Sequence, residues 1–600
     1  RCLSDWSSDV CSSDLNASAA MLFSFFAAMV LAPWLMLKLS GKGGDEAGHA
    51  GGHDGGAMGR LYRRVAVPLL SSRRNAGRFL AVVGVTTVAS LGLFATKGVT
   101  VKLLPFDNKS ELSVQLNLPR GASLQDTERL LFQAADIAAG LPELRSAQIY
   151  AGTAAPFNFN GLVRHSFLRS SPDLGELQIN LAPKGERARA SHDIALDLRA
   201  KLLAGLKLPE GTSLKVVEVP PGPPVMATLL AEIYGPDAAT RRAVAGEVRK
   251  LFATIPFITD IDDSYGTTQP RLRISIDQER LEYFGVEQAS VYDALRSILG
   301  SNPVGYSHRG EERYPVDISI ALPRQDRAWT ARLASTPVPA NAIPGSNRVV
   351  ELGELVRVTR EEGSPVLFRR DGYFTDMVTA ELAGRYEAPI YGMGAVADAI
   401  EAHDWGRLPK PVVRLAGQPA DEGHPTLLWD GEWEVTWVTF RDMGAAFGVA
   451  ILAIYVLVVA QFRSFKLPLV ILTPIPLTLL GIMLGHWIMG AAFTATSMIG
   501  FIALAGIIVR NSILLVDFIR HGRGHGMSLR EVLLEAGAVR FKPILLTALS
   551  AMIGAATILT DPIFQGLAVS LLFGLASSTL LTVLVIPAIY VVMRDADAVA

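Results

Sequence analysis

AAFGVAILAIYVLVVAQFRSFKLPLVILTPIPLTLLGIMLGHWIM, residues 445–489, carries two charged side chains, Arg463 and Lys466, and both stand near its middle. Two apolar runs joined by a short basic turn read as two bilayer crossings, since a hydrocarbon core of about 30 Å needs about 20 helical residues. Five further stretches have the same character: Ala17–Leu37, Phe79–Thr96, Ala495–Val516, Ile544–Thr560 and Gln565–Val592. The expected fold is therefore an α-helical transmembrane bundle of seven spans. Residues from about Gly98 to Asp442 instead have the composition of a soluble protein, so the chain meets two solvents. With 50% hydrophobic and 19% charged residues and a mean hydropathy of +0.31, it is too apolar for a chain of soluble domains alone.

Lys and Arg favour the cytoplasmic side of a span. Lys38, Lys42, Arg60, Arg63, Arg64, Arg73 and Arg74 crowd the loop between the first two spans, which places that loop inside and the large polar region outside. The remaining loops alternate in agreement. Arg463 and Lys466 follow the third span; Arg520, Arg523, Arg530 and Lys542 surround the connection after the fifth; Arg594 follows the seventh. The loops after the fourth and sixth spans have neither residue. A formal net charge of -1 and the absence of a basic stripe exclude nucleic acid as a partner.

Both cysteines, Cys2 and Cys11, fall in RCLSDWSSDVCSSDL, residues 1–15, which has no helix, strand or targeting pattern. That stretch reads as a sequencing or cloning scar, outside the fold. The rest has no cysteine for a disulfide or thiolate metal site. No positively charged segment precedes Phe23–Leu37, so that run reads as the middle of a spanning helix, and the chain is expected to start inside a larger protein. Residues 39–76 form a cytoplasmic Gly/His linker and basic segment. His49 and His53 there are either a weak metal tether or incidental to a flexible linker.

The outer region repeats a pattern. Alternating apolar positions mark strands at Glu111–Leu118, Ser146–Tyr150, Glu176–Leu181 and Leu214–Val219, with helices at Ser123–Leu141 and His192–Leu206. This is a doubled βαβ unit of the split kind. After Pro220-Pro221-Gly222-Pro223-Pro224 a second begins with strand Leu229–Tyr234, helix Ala238–Ile255 and strand Ile258–Tyr265. Its partner strand Asp376–Leu382 and helix Gly394–His403 come much later, beyond an insert with its own helix, Ser290–Leu299.

Several segments carry a family signal: FDNKSELSVQLNLPRGASLQDTE, DQERLEYFGVEQASVYDALRSILGSNPVG, FRSFKLPLVILTPIPLTLLG, GIIVRNSILLVDF and VRFKPILLTALSAMIG. In this order they resemble the C-terminal half of resistance-nodulation-division (RND) efflux permeases, hydrophobe/amphiphile branch. The resemblance covers nearly everything after residue 15. It implies spans at 16–38 and 77–98, a first porter subdomain at 110–222, a second at 223–275 and 365–430, a docking-domain insert at 276–364, and a five-helix membrane region at 440–593. It also implies a homotrimer in the bacterial inner membrane, its large domain in the periplasm, joined to an adaptor and an outer-membrane channel. The implied activity is proton-antiport export of small amphiphiles, powered by proton-motive force with no cofactor. No GxxxxGK[ST] phosphate loop occurs, so ATP bound by this chain is not the energy source, and no enzyme site emerges.

Arg510 lies within the fifth span, where an arginine costs about 2.5–3.5 kcal/mol near the helix centre without a partner or water. It belongs to an ion path or snorkels to the cytoplasmic surface. Many RND drug pumps carry a Lys at the matching position, paired with two aspartates of the other half. Arg keeps its proton, so Arg510 serves as counter-ion and the proton carrier is a carboxylate elsewhere. The resemblance places Asn511, Arg540 and Thr547 in the same relay; Arg540 could equally anchor at the surface and Thr547 pack against a helix. Tyr150, Phe157 and Phe159 fall where related pumps line an apolar drug pocket, or serve packing. Met226, Met377 and Met393 are too far apart in sequence to suggest a soft-metal site. A membrane-anchored scaffold or binding module without transport, or a lipid- or protein-export member of the superfamily, are the alternatives.

Overall fold

The computed structural model describes residues 19–39, 56–156, 161–162, 164–219, 222, 225–266, 268, 270–308, 315–345, 347–364, 366–523 and 528–593. Five helices are long and apolar enough to cross a membrane: Arg73–Ala95, Glu432–Phe462, Leu467–Met489, Ala495–Gly522 and Gln565–Met593. Two of the seven expected spans fall short of that measure. Ala17–Leu37 meets the apolar helix Ala19–Leu35, which is shorter than 18 residues. Ile544–Thr560 becomes the end of helix Leu529–Ala556, whose apolar run is interrupted by Arg540, Lys542 and Pro543.

The Gln565–Met593 helix is central, with 56% of its apolar window buried against 6% for Glu432–Phe462. Close approach explains the difference. A Cβ added at Gly481 would lie 2.1 Å from Ser577 Oγ, and one at Gly485 would lie 2.5 Å from the Phe573 side chain. Small residues let helix backbones meet where lipid provides no hydrophobic drive.

In the outer region β1 (Glu111–Asn117), β2 (Leu144–Ala151), β3 (Leu174–Leu181) and β4 (Ser213–Glu218) form an antiparallel sheet of order β2-β3-β1-β4. Leu112, Val114 and Leu116 alternate inward on β1 and meet Leu130, Leu131 and Ala134 of helix Leu124–Ala139. Ser123 starts that helix, its Oγ accepting from the Asp126 N–H at 3.1 Å. Helix Ser191–Gly205 covers the same core.

The second unit has β5 (Leu229–Tyr234) and β6 (Ile258–Asp263). The insert follows, with β7 (Pro270–Ile276), β8 (Asn302–Ser307), β9 (Val316–Ile320), β10 (Pro337–Pro339), β11 (Val349–Glu351) and β12 (Val356–Glu362). β7 and β12 pair antiparallel as its base, and β8 and β9 form an exposed hairpin. The chain returns through β13 (Phe368–Arg370), β14 (Tyr373–Leu382), β15 (Val412–Arg414) and β16 (Thr426–Gly431). β5 lies between β14 and β16, and β6 lies outside β14. That repeats the first unit's arrangement. β16 escapes the alternation rule because TLLW is a short, continuously buried run. The third expected span, Ala445–Ala460, begins much earlier, since helix Glu432–Phe462 leaves β16 without a linker.

Residues 100–103 run beside the loop between two membrane helices. The Phe493 N–H donates to Thr100 O at 2.7 Å, Lys102 N–H to Phe493 O at 3.0 Å, and Ala495 N–H to Leu103 O at 3.0 Å.

Candidate functional site

The edge strands β4 and β6 bring the two α/β units together, and the ion pairs that cross between them are sorted by unit. Arg164, His192, Arg199 and Lys215 of the first unit meet Glu381, Glu387, Asp260 and Asp262 of the second, at 2.8, 2.7, 2.7 and 2.5 Å respectively. Arg199 is bidentate, Nε and Nη2 donating to the two oxygens of Asp260 at 3.2 and 2.7 Å. The Thr228 hydroxyl also donates to Glu381. These residues are far apart in sequence, so no periodicity reveals the seam.

His192 is its most connected member. Nδ1 lies 2.7 Å from Glu218 Oε2 and Nε2 lies 2.7 Å from Glu387 Oε1, while Phe106 stacks on the ring at 4.6 Å. Burial alone would lower the imidazole, but the two carboxylates outweigh it and push it up to about 9. Lys102 reaches Glu387 at 2.5 Å and holds its Nζ 4.5 Å from the Phe106 ring centroid. Burial pushes the Asp260 carboxyl above its usual range despite Arg199 beside it. Lys102, Arg164, His192, Glu381 and Glu432 all line one narrow cavity of about 40 Å³.

A second cavity, apolar and about 190 Å³, opens nearer the membrane helices. Val101, Leu103, Pro389, Ile390, Trp433, Trp437 and Phe440 line it. Of the expected aromatic pocket, Tyr150 lies on β2 and donates its hydroxyl to Gln148 at 3.3 Å, away from this cavity. Phe157 and Phe159 lie outside the described residues.

Within the membrane helices Arg510 is on the outer surface of the described bundle, and among the described residues it has no ion-pair partner. Asn511, one step of about 100° round the helix, is 7% exposed and faces inward, so the two serve different faces. Arg540 stacks its guanidinium 5.3 Å from the Phe518 ring centroid, which fixes the depth of the two helices. Arg510 lies eight residues before Phe518, and Thr547 seven after Arg540, so both stand about 11–12 Å above that contact. Thr547 is exposed and donates to Ile544 O at 2.9 Å.

His486 is a buried polar residue that the apolar run conceals. Its Nε2 lies 2.8 Å from Ser497 Oγ and its Nδ1 2.9 Å from Ile482 O. Thr494 and Thr496 extend this network. Met377 on β14 and Met393 are buried, the latter in the second unit's core. Among the described residues no group of three or more His, Cys, Asp or Glu is placed to hold a metal ion.

The sequence profile of the AcrB/AcrD/AcrF family matches residues 14–594. The cation efflux system protein CzcA of Alcaligenes sp. (strain CT14) is 26% identical over 551 residues, 89% of this chain and 49% of its own length. The multidrug resistance protein MdtC of Yersinia pseudotuberculosis is 23% identical over 437 residues, 70% of this chain and 40% of its own. A solved heavy metal efflux pump superposes with a TM-score of 0.70 at 20% identity, over 90% of this chain and 52% of that one. The chain thus spans about half the length of the curated relatives it matches.

Proposed function

We propose, from the premise that this chain belongs to the AcrB/AcrD/AcrF family, that it is the C-terminal half of an inner-membrane RND exporter driven by proton antiport. The observation that carries this reading is Arg510, a permanent cation in an apolar helix, on a face that nothing in the described bundle covers. An intramembrane arginine needs an anionic partner or water. A second half would present carboxylates to that face, and their protonation would release Arg510 and shift the helices beneath the outer region. Thr547 lies at the same depth. The spans Ala17–Leu37 and Ile544–Thr560, the porter and docking subdomains, and a trimer with an adaptor and outer-membrane channel complete this reading.

For cargo, the apolar cavity beside Trp433 and Trp437 favours small amphiphiles, since apolar walls with few fixed polar groups accept many ligands. A second reading, export of metal cations, draws on the names of CzcA and of the solved pump. It also draws on the carboxylates of the second unit at the seam, anionic groups left without counter-ions if the first unit's cations withdraw. The test is Arg510→Ala in the full-length protein, with efflux of a fluorescent amphiphile and growth in zinc, cobalt and cadmium measured side by side. Loss of efflux by tenfold or more is expected; transport at the wild-type rate refutes the reading. Whichever assay responds identifies the cargo.

A further inference from the structure

Gly431 is the junction between sheet and membrane helix. β16 ends on it, helix Glu432–Phe462 begins after it, and its φ of 70° with ψ of -133° is a conformation that favours glycine. A Cβ there would sit 2.5 Å from Ala227 O and 3.1 Å from Leu230 Cβ. The stretch WDGEWE, residues 429–434, thus puts three acids within three positions of the residue best able to turn.

Two of those acids belong to a cluster. In the ladder Glu232 of β5 faces Leu428, so Asp430, two residues on, shares its face as the diagonal neighbour. Arg370 from β13 reaches Asp430 at 3.2 Å, Glu434 at 3.1 Å and Glu232 at 3.8 Å. Glu232 is 1% exposed; its Oε2 accepts from the Tyr234 hydroxyl at 2.6 Å, and among the described residues its Oε1 has no hydrogen bond. Asp371, beside Arg370, accepts from Gln418 at 3.0 Å, and Arg441 on the helix is paired with Asp442. All but Tyr234 and Asp442 border a cavity of about 210 Å³ that also touches Trp437. One guanidinium cannot neutralise three carboxylates, and Glu232 is buried away from water that could offset the shortfall.

We propose that the Glu232–Asp430–Glu434 cluster holds one proton at neutral pH, and that its loss swings the Glu432–Phe462 helix about Gly431. Glu232 and Asp430 are fixed by the ladder, so charge repulsion is relieved by moving Glu434, which is about half exposed on the helix. Proton uptake draws the helix back against Arg370 and the sheet. Burial first, and Asp430 beside it, push the Glu232 carboxyl up to about 8, consistent with a proton kept at pH 7. This device lies outside the Arg510 path; it borrows from the proposed function only the assignment of that side as periplasmic.

The test uses the full chain in lipid nanodiscs, with infrared absorption of protonated carboxyl groups and tryptophan fluorescence followed from about pH 6 to about pH 9.5. Wild type is expected to lose a carboxyl band with a midpoint near 8, a loss that persists when Glu432 beside the pivot is replaced in Glu432→Gln, and to change the emission of Trp429, Trp433 and Trp437 in step. Glu232→Gln should abolish the loss of that band and the emission change that accompanies it. If that variant does not fold, Glu434→Gln, which removes one repelling neighbour, should shift the midpoint down by about one unit or more. A wild type with no carboxyl loss across this range overturns the proposal. So does a transition undiminished in Glu232→Gln or unmoved in Glu434→Gln.

Discussion

Arg199→Ala removes both hydrogen bonds to Asp260, whose side chain is 4% exposed, and leaves a carboxylate with no counter-ion at hydrogen-bond distance. Breaking a buried pair in this way costs about 3–5 kcal/mol. The loss has a ceiling, because Asp260 can take a proton. Keeping it neutral at pH 7, against an ordinary value of about 3.9, costs about 4 kcal/mol at about 1.4 kcal/mol per unit. The two routes agree, so a loss of about 3–4 kcal/mol is expected at pH 7. The ceiling also sets the pH dependence. In the variant the folded chain keeps a proton that the unfolded chain releases above about pH 3.9, so stability falls as pH rises through that window. The penalty should therefore shrink by about 1.4 kcal/mol per unit on going from about pH 7 to about pH 5. Urea denaturation followed by Trp405 and Trp429, both in the second unit, reads it. A loss below about 1 kcal/mol, or the same loss at both pH values, refutes a buried and dependent Asp260, and Asp260→Asn in the Arg199→Ala background should recover part of the loss.

The His192 bridge has the same sign at higher pH: its folded value is raised, so its contribution is full below about 6.5 and is lost as pH rises through about 9, which paired spin labels on the two units should register as a widening. Gly481→Ala drives a methyl onto Ser577 and the Phe573 backbone and is expected to cost about 2 kcal/mol or more, read as a lower melting temperature in detergent. Ser123→Ala removes the cap of helix Leu124–Ala139 and should cost about 1 kcal/mol, visible as faster amide exchange in its first turn.

How much was legible beforehand follows from the range of each interaction. β1 and β3 and the helices behind them were readable because Leu112, Val114 and Leu116, or Leu130, Leu131 and Ala134, repeat at the period of their own element. β16 was not, since its run is buried on both faces and passes into a helix through a single glycine. The seam was invisible because its pairs join residues 47 to 217 positions apart. Arg510 stood out as a charge in an apolar run, yet its orientation, and the inward turn of Asn511, needed packing to decide. His486 was the missed counterpart: one histidine in an apolar stretch is the signal, and its bond to Ser497 gives it a purpose.

The outer region is tied to the membrane helices in two mechanically different ways. Residues 100–103 are laced to residues 493–495 by backbone hydrogen bonds, with Tyr391 Oη accepting a further one from Val101 N–H at 2.9 Å, so this strand resists sliding. Gly431 is a single pivot at the head of a 31-residue helix, about 46 Å long, that is the least buried of the spans. A displacement of the second unit at the seam would therefore meet resistance at the laced strand, which Tyr391 and Glu387 tie to that unit, and pass along β14, β5 and β16 to the pivot. There a few degrees become ångströms at the far end of the helix. The ion pairs at the seam and the acids at the pivot lie on this one sheet, Glu381 on β14 and Glu232 on β5. Closing the seam and protonating the pivot then act on the same rigid body, and a change in either should move the other's titration midpoint.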